Sequence, residues 1–175
     1  VGTSLPFLLP PGLHDVEALD EVVAEGRYGR RLAGPAERVR RSVDLEHWAA
    51  FNEGFDEVFE MVVDLARGHR GPAPGAVVFL SGDVHNSYLA EVVDPARHGA
   101  RSRIVQAVCS PIRNPMPRGI HIGISLLSRW LARPVRAVAS RSRHVGSPAY
   151  PWRVTEGPWF DNNIATCRVD PRGMD

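Results

Sequence analysis

The chain has 175 residues, 43% of them hydrophobic and 23% charged, with a formal net charge of +1. A chain of this length buries roughly 70% of its unfolded surface, enough for one domain with a sizeable core. The charge balance excludes a blanket basic surface for nucleic acid or membrane. No apolar run approaches the roughly 18 residues of a spanning helix, and no charged segment leads into an apolar one as in a secretory leader. All 21 basic residues are arginine, which reads first as coding bias and only second as a capacity for anions.

In chain order, "GTSLPFLLPPG" at 2–12 predicts an apolar strand leaving through a Pro-Pro-Gly turn, because prolines deny backbone donors. Leu13, Val16, Leu19, Val22 and Val23 then recur at helical spacing up to Gly26. The arginine-rich piece 27–41 reads as a surface connection. Residues 42–68 predict the strongest helix, with Asp44 as N-cap and His47 where a capping-box Glu commonly stands. Its apolar face is Trp48, Phe51, Phe55, Phe59, Val62 and Leu65 or Ala66, stopping at Gly68 and laid on a sheet.

After the turn-forming 69–75 comes an all-apolar strand at 76–80, of the kind covered on both faces. Two further strands are predicted at 87–94 and 102–110, and a short packed helix at 119–132. Segments 150–157 and 163–170 flank "PWFDN" as an antiparallel hairpin. Cys109 and Cys167 lie in apolar surroundings and read as buried, inert thiols. The order of elements is mixed α and β.

Chemistry concentrates in "GAVVFLSGDVHNSYLAEVVD", where the strand at 76–80 runs into Asp83 and His85. Carboxyl ends of inner strands face the crevice in which α/β proteins place ligands. Two residues apart in an extended segment, a carboxylate and an imidazole project to one side and offer a divalent cation a hard oxygen and a borderline nitrogen. The competing reading is local: Asp83 caps the following turn and His85 bonds to it. Other candidates also carry two readings. His14 either approaches the cleft or packs at a helix start beside Asp15, which suits the helix dipole. Glu46 and His47 serve as caps. Arg113, followed by Asn114, either clamps a phosphate or is solvated. Arg141, Arg143 and His144 either bind an anion or face water.

"VVFLSGDVHNSYLAEV" resembles the strand-end motif of metallophosphoesterases, in particular the alkaline phosphatase D-like branch. "GTSLPFLLPPGLHDVEALDE", "VDLEHWAAF" and "VQAVCSPIRNPMP" resemble segments around that motif, so the likeness spans most of 1–117 and, more weakly, 158–170. It implies an α/β fold, a β sandwich flanked by helices in four layers (α/β/β/α), incomplete in this chain. It also implies a metal-dependent phosphatase, a hydrolase of phosphate mono- or diesters. Asp83 and His85 would be the catalytic residues and metal ligands of a centre of two divalent or mixed ions (Ca, Fe, Mn or Zn), and Arg113, Asn86 and His14 would bind the substrate.

The family's more amino-terminal motifs are not found in the sequence. Residues 1–175 are therefore expected to be the carboxyl-terminal part of one catalytic domain, inactive alone and completed by an amino-terminal half of the same polypeptide. The partner expected is a small-molecule or lipid-linked phosphate ester, not nucleic acid or membrane. A cytoplasmic location is favoured, with export left open. The alternative is a noncatalytic α/β ligand-binding or interaction module with a decayed phosphoesterase site.

Overall fold

The computed structural model describes residues 1–24, 48, 51–110, 112, 148–170 and 173–174. Helix α1 spans Pro11–Ala24 and α2 spans Asn52–Arg67. The strands are β1 (Ala76–Ser81), β2 (Ser87–Val92), β3 (Arg103–Val108), β4 (Trp152–Trp159), β5 (Val169–Asp170) and β6 (Gly173–Met174), with a 3-10 turn at Pro95–His98. The main sheet has the order β1-β3-β2-β4: β1 and β3 are parallel, and β2 is antiparallel to both β3 and β4. Ahead of α1 the chain adds a short parallel edge beside β1, where Thr3 N–H donates to Leu80 O at 3.0 Å and Leu80 N–H to Val1 O at 2.9 Å. The class is α/β, with a mixed sheet and two helices among the described residues.

Strand alternation sorts the sheet into two faces. Val77, Phe79, Tyr88, Ala90, Val92, Ile104, Val108 and Trp152 are buried on the face that meets the helices. The opposite face carries Leu80 and Leu89, which flank Ala107 in register and remain 46% and 37% exposed. The strand predicted at 76–80 is therefore covered on one face and open on the other.

Between Thr3 and α1 the chain is neither helix nor strand, yet Phe7, Leu8 and Leu9 are at most 1% exposed. Buried irregular backbone must find hydrogen-bond partners, and three strands supply them. Gln106 of β3 accepts from Phe7 N–H at 2.8 Å and Leu8 N–H at 3.2 Å, while its amide donates to Ser81 Oγ at 3.0 Å. The Tyr88 hydroxyl of β2 donates to Leu8 O at 3.0 Å, and Trp152 Nε1 of β4 donates to Leu9 O at 2.6 Å. Phe7 then fills the centre of the core, its ring 4.7 Å from Phe55 and 4.6 Å from Phe79 in stacked pairs, with Phe59 edge-on at 5.6 Å.

Several expectations change here. Pro11 and Gly12 begin α1 rather than a turn, since proline's fixed φ and missing N–H suit the first helical position. The apolar spacing of α1 does not mark its innermost side: His14, Asp15, Glu17 and Ala18 are buried, whereas Leu13, Val16 and Leu19 are half-buried. Helix α2 starts at Asn52, because Phe51 has φ −130° and ψ 61° and stands 56% exposed outside it. Asp44 lies outside the described residues. Phe55, Phe59, Val62 and Ala66 do form its buried face, and Gly68, at φ 85°, ends it in the left-handed conformation glycine favours. The expected hairpin is absent: β4 pairs with β2, residues 161–168 are irregular, and β5 pairs with β6. The predicted helix at 119–132 and the connection at 27–41 lie outside the described residues.

At the amino ends of β1 and β3 an arginine closes the fold. Arg67 donates from Nε to His98 O at 2.7 Å, from Nη1 to Asp64 Oδ1 at 3.3 Å and from Nη2 to the Tyr150 hydroxyl at 3.4 Å. The Tyr150 hydroxyl donates in turn to Glu60 Oε2 at 2.9 Å.

Gln106→Ala leaves two buried N–H groups without an acceptor at a cost of about 1–3 kcal/mol each, so chemical denaturation should read a loss of about 2–6 kcal/mol. The Tyr88 hydroxyl titrates well above its ordinary value of 10.0, pushed up by burial and by the charge of Glu17. The fold favours its neutral form, so that stabilisation is complete below pH about 10 and is lost as pH rises through the folded value. Denaturation at pH 7 and pH 11 should show Tyr88→Phe weaker than the wild type at pH 7 and the gap narrowed or reversed at pH 11.

Candidate functional site at the strand ends

β1 and β3 run parallel and adjacent, so their carboxyl ends open on one side of the sheet, with Ser81 paired to Val108. Cys109 N–H continues the pairing by donating to Ser81 O at 3.1 Å. Gly82 then passes close to β3: a Cβ there would meet Cys109 O at 3.4 Å. Beyond it the chain bends sharply. Asp83 has φ 64° and His85 has φ 52°, both in the left-handed region that side chains disfavour. The extended geometry expected for this pair is therefore replaced by a bend, and their common direction no longer follows from strand alternation. Left-handed residues other than glycine cost roughly 1–3 kcal/mol and concentrate at ligand sites. Asp83 is exposed and His85 half-buried, both just beyond the carboxyl end of β1.

Asn86 is 4% exposed. Its Nδ2 donates to Val84 O at 2.9 Å, whereas its Oδ1 is buried with no hydrogen-bond partner among the described residues. A buried amide oxygen without a donor is costly, and it stands one residue from His85 and three from Asp83. Ser87 follows as the first residue of β2; its Oγ accepts from Ser110 N–H at 2.9 Å and lies 2.8 Å from Asn163 Oδ1. Cys109 Sγ lies 3.2 Å from the same oxygen. Cys109 is thus half-buried at the strand end, and Cys167 is exposed, where the sequence predicts two buried thiols.

The remaining candidates separate. His14 is 3% exposed and packed between Phe55, at 4.8 Å, and Trp152, at 4.9 Å between ring centroids, inside the core beneath the sheet. Arg113, Asn114, Glu46, His47, Arg141, Arg143 and His144 lie outside the described residues. Ser87 and Asn163 join the strand end without having been singled out from sequence, and Cys109 joins it although the sequence reads it as an inert thiol. Asn163 is 76 positions from Ser87, and no local pattern signals such a contact.

No family model, curated protein or solved structure matches the chain. Among the described residues no group of three or more His, Cys, Asp and Glu is placed to hold a metal ion, and no helix is long and apolar enough to cross a membrane.

Glycine adopts a left-handed φ without the Cβ penalty. Asp83→Gly should therefore leave the melting temperature unchanged or raise it, by the equivalent of about 1 kcal/mol. A clear drop would mean that the side chain serves folding rather than a ligand.

Proposed function

We propose that the chain contributes part of the active site of a metal-dependent phosphoesterase of the alkaline phosphatase D-like kind, acting on phosphate mono- or diesters. The observation that carries the reading is the pair Asp83 and His85, held left-handed directly beyond the carboxyl end of β1 and beside that of β3. Acidic and imidazole side chains in strained backbone at a parallel strand end are placed for a ligand rather than for packing. The "SGDVHN" resemblance gives that ligand its identity.

The donor chemistry fits a divalent cation. Asp83 offers an exposed carboxylate, His85 an imidazole, and Asn86 a buried oxygen that lacks a donor among the described residues. Among the described residues these form a partial set, so on this reading further ligands come from elsewhere in the polypeptide. When bound, such ions supply an activated water and offset the charge that develops on the phosphoryl group. The work of the described residues is to hold the donors at a rigid edge. Burial of Asn86 and Ser87 keeps bulk water from one side of the loop.

The finer architecture of two stacked sheets is part of the same proposal. It is supported by the outward apolar row of Leu80, Ala107 and Leu89, which a second sheet would cover. A noncatalytic module is the second reading, favoured by the lack of a third His, Cys, Asp or Glu beside the pair among the described residues.

The test is Mn²⁺ titration by calorimetry on the full-length gene product, beside hydrolysis of p-nitrophenyl phosphate and its bis ester. Asp83→Asn should weaken Mn²⁺ binding by at least about tenfold and bring turnover to background, with the circular dichroism spectrum unchanged. A full-length product that takes up no metal and hydrolyses neither ester would establish the noncatalytic module.

A further inference from the structure

The loop carrying Asp83 and His85 is fixed at both ends by groups distant in sequence. At its start, Ser81 O and Gly82 are held against Cys109. At its end, Ser87 is clamped from two directions. Gly157 of β4 presses on it so closely that a Cβ would lie 2.8 Å from Ser87 O. Ser87 Oγ accepts from Ser110 N–H, and its single proton has two acceptors in reach, Asn163 Oδ1 at 2.8 Å and Ser110 O at 3.0 Å. Cys109 Sγ, at the other end of the loop's frame, is 3.2 Å from the same Asn163 oxygen. Asn163 is itself anchored, its Nδ2 donating to Asp161 O at 2.7 Å.

One amide oxygen therefore joins the residue that begins β2 to the residue that follows β3, and the left-handed pair lies between those two supports. We propose that Asn163 is a positioning residue that sets the conformation of loop 82–86, touching neither substrate nor metal. The bond to Ser87 fixes where β2 begins, and so how much chain is left to span from Ser81. The bond to Cys109 fixes the neighbouring strand end against which Gly82 packs. Only the consequence for metal affinity rests on the phosphoesterase reading; the consequence for the loop does not.

The experiment compares wild type, Asn163→Ala and Asn163→Asp by two-dimensional ¹H–¹⁵N NMR without metal, then by Mn²⁺ titration. Asn163→Ala should displace the amide signals of residues 83–87 and 110. Asn163→Asp, which keeps an oxygen for Ser87 and Cys109 but loses the Nδ2 bond to Asp161 O, should restore them in part. Mn²⁺ affinity should fall about tenfold in Asn163→Ala and recover in part in Asn163→Asp, the size expected for a group that orients a ligand. Ser87→Ala breaks the same contact from the other side and should give the same displaced signals; it decides the matter if Asn163→Ala does not fold. Unchanged amide signals for 83–87 in these variants would overturn the proposal. If the wild type binds no Mn²⁺, the phosphoesterase reading fails and the amide comparison still decides the role of Asn163.

Discussion

Everything in this fold is arranged around a stretch of backbone that has no secondary structure of its own. Phe7, Leu8 and Leu9 run through the core, where unpaired peptide groups would each cost about 1–3 kcal/mol. Gln106, Tyr88 and Trp152, one each from β3, β2 and β4, meet that demand. Because Gln106 also donates to Ser81 Oγ, the same side chain ties the threaded segment to the carboxyl end of β1. The buried segment and the strand ends are thus held in one frame, and Phe7 between Phe55 and Phe79 gives that frame its apolar centre.

Part of this was legible in the amino-acid order. The strands beginning near Ala76, Ser87 and Arg103 follow from apolar runs between turn residues, and the stop of α2 at Gly68 follows from glycine's freedom at positive φ. Beyond the short edge at Gly2, residues 7–9 were not legible, because they look like a continuing strand while their backbone partners are side chains more than 75 positions away. Helix α1 misleads in another way: when most of a helix surface is enclosed, the spacing of Leu and Val no longer says which side is innermost, and His14 and Glu17 end up deeper than Leu13. The expected hairpin failed because β4 finds its partner in β2, and tertiary pairing outweighs nearness in sequence.

The candidate site was legible as to residues and not as to shape. Asp83 and His85 stand out as polar groups at the end of an apolar strand. Their left-handed backbone does not, because aspartate and histidine tolerate that region without announcing it. The supports of the loop come from Ser110 and Asn163, which only the closed sheet brings near Ser87. The strain at Asp83 and His85 and the neutral hydrogen bonds around Ser87 are complementary: the first asks for a stiff surround and the second provides one.

The two poles of the sheet are fastened by different forces. Around the strand ends the fastenings are uncharged amides, hydroxyls and a thiol, while at the opposite pole Arg67 gathers Asp64, Tyr150 and the carbonyl of His98. Dissolved ions screen charged contacts at an accessible surface and leave neutral hydrogen bonds almost untouched. Changes in ionic strength are therefore felt first at the Arg67 pole, whereas among the described residues the neutral hydrogen bonds that join Ser87, Ser110 and Asn163 keep their strength whatever the saltiness of the surroundings.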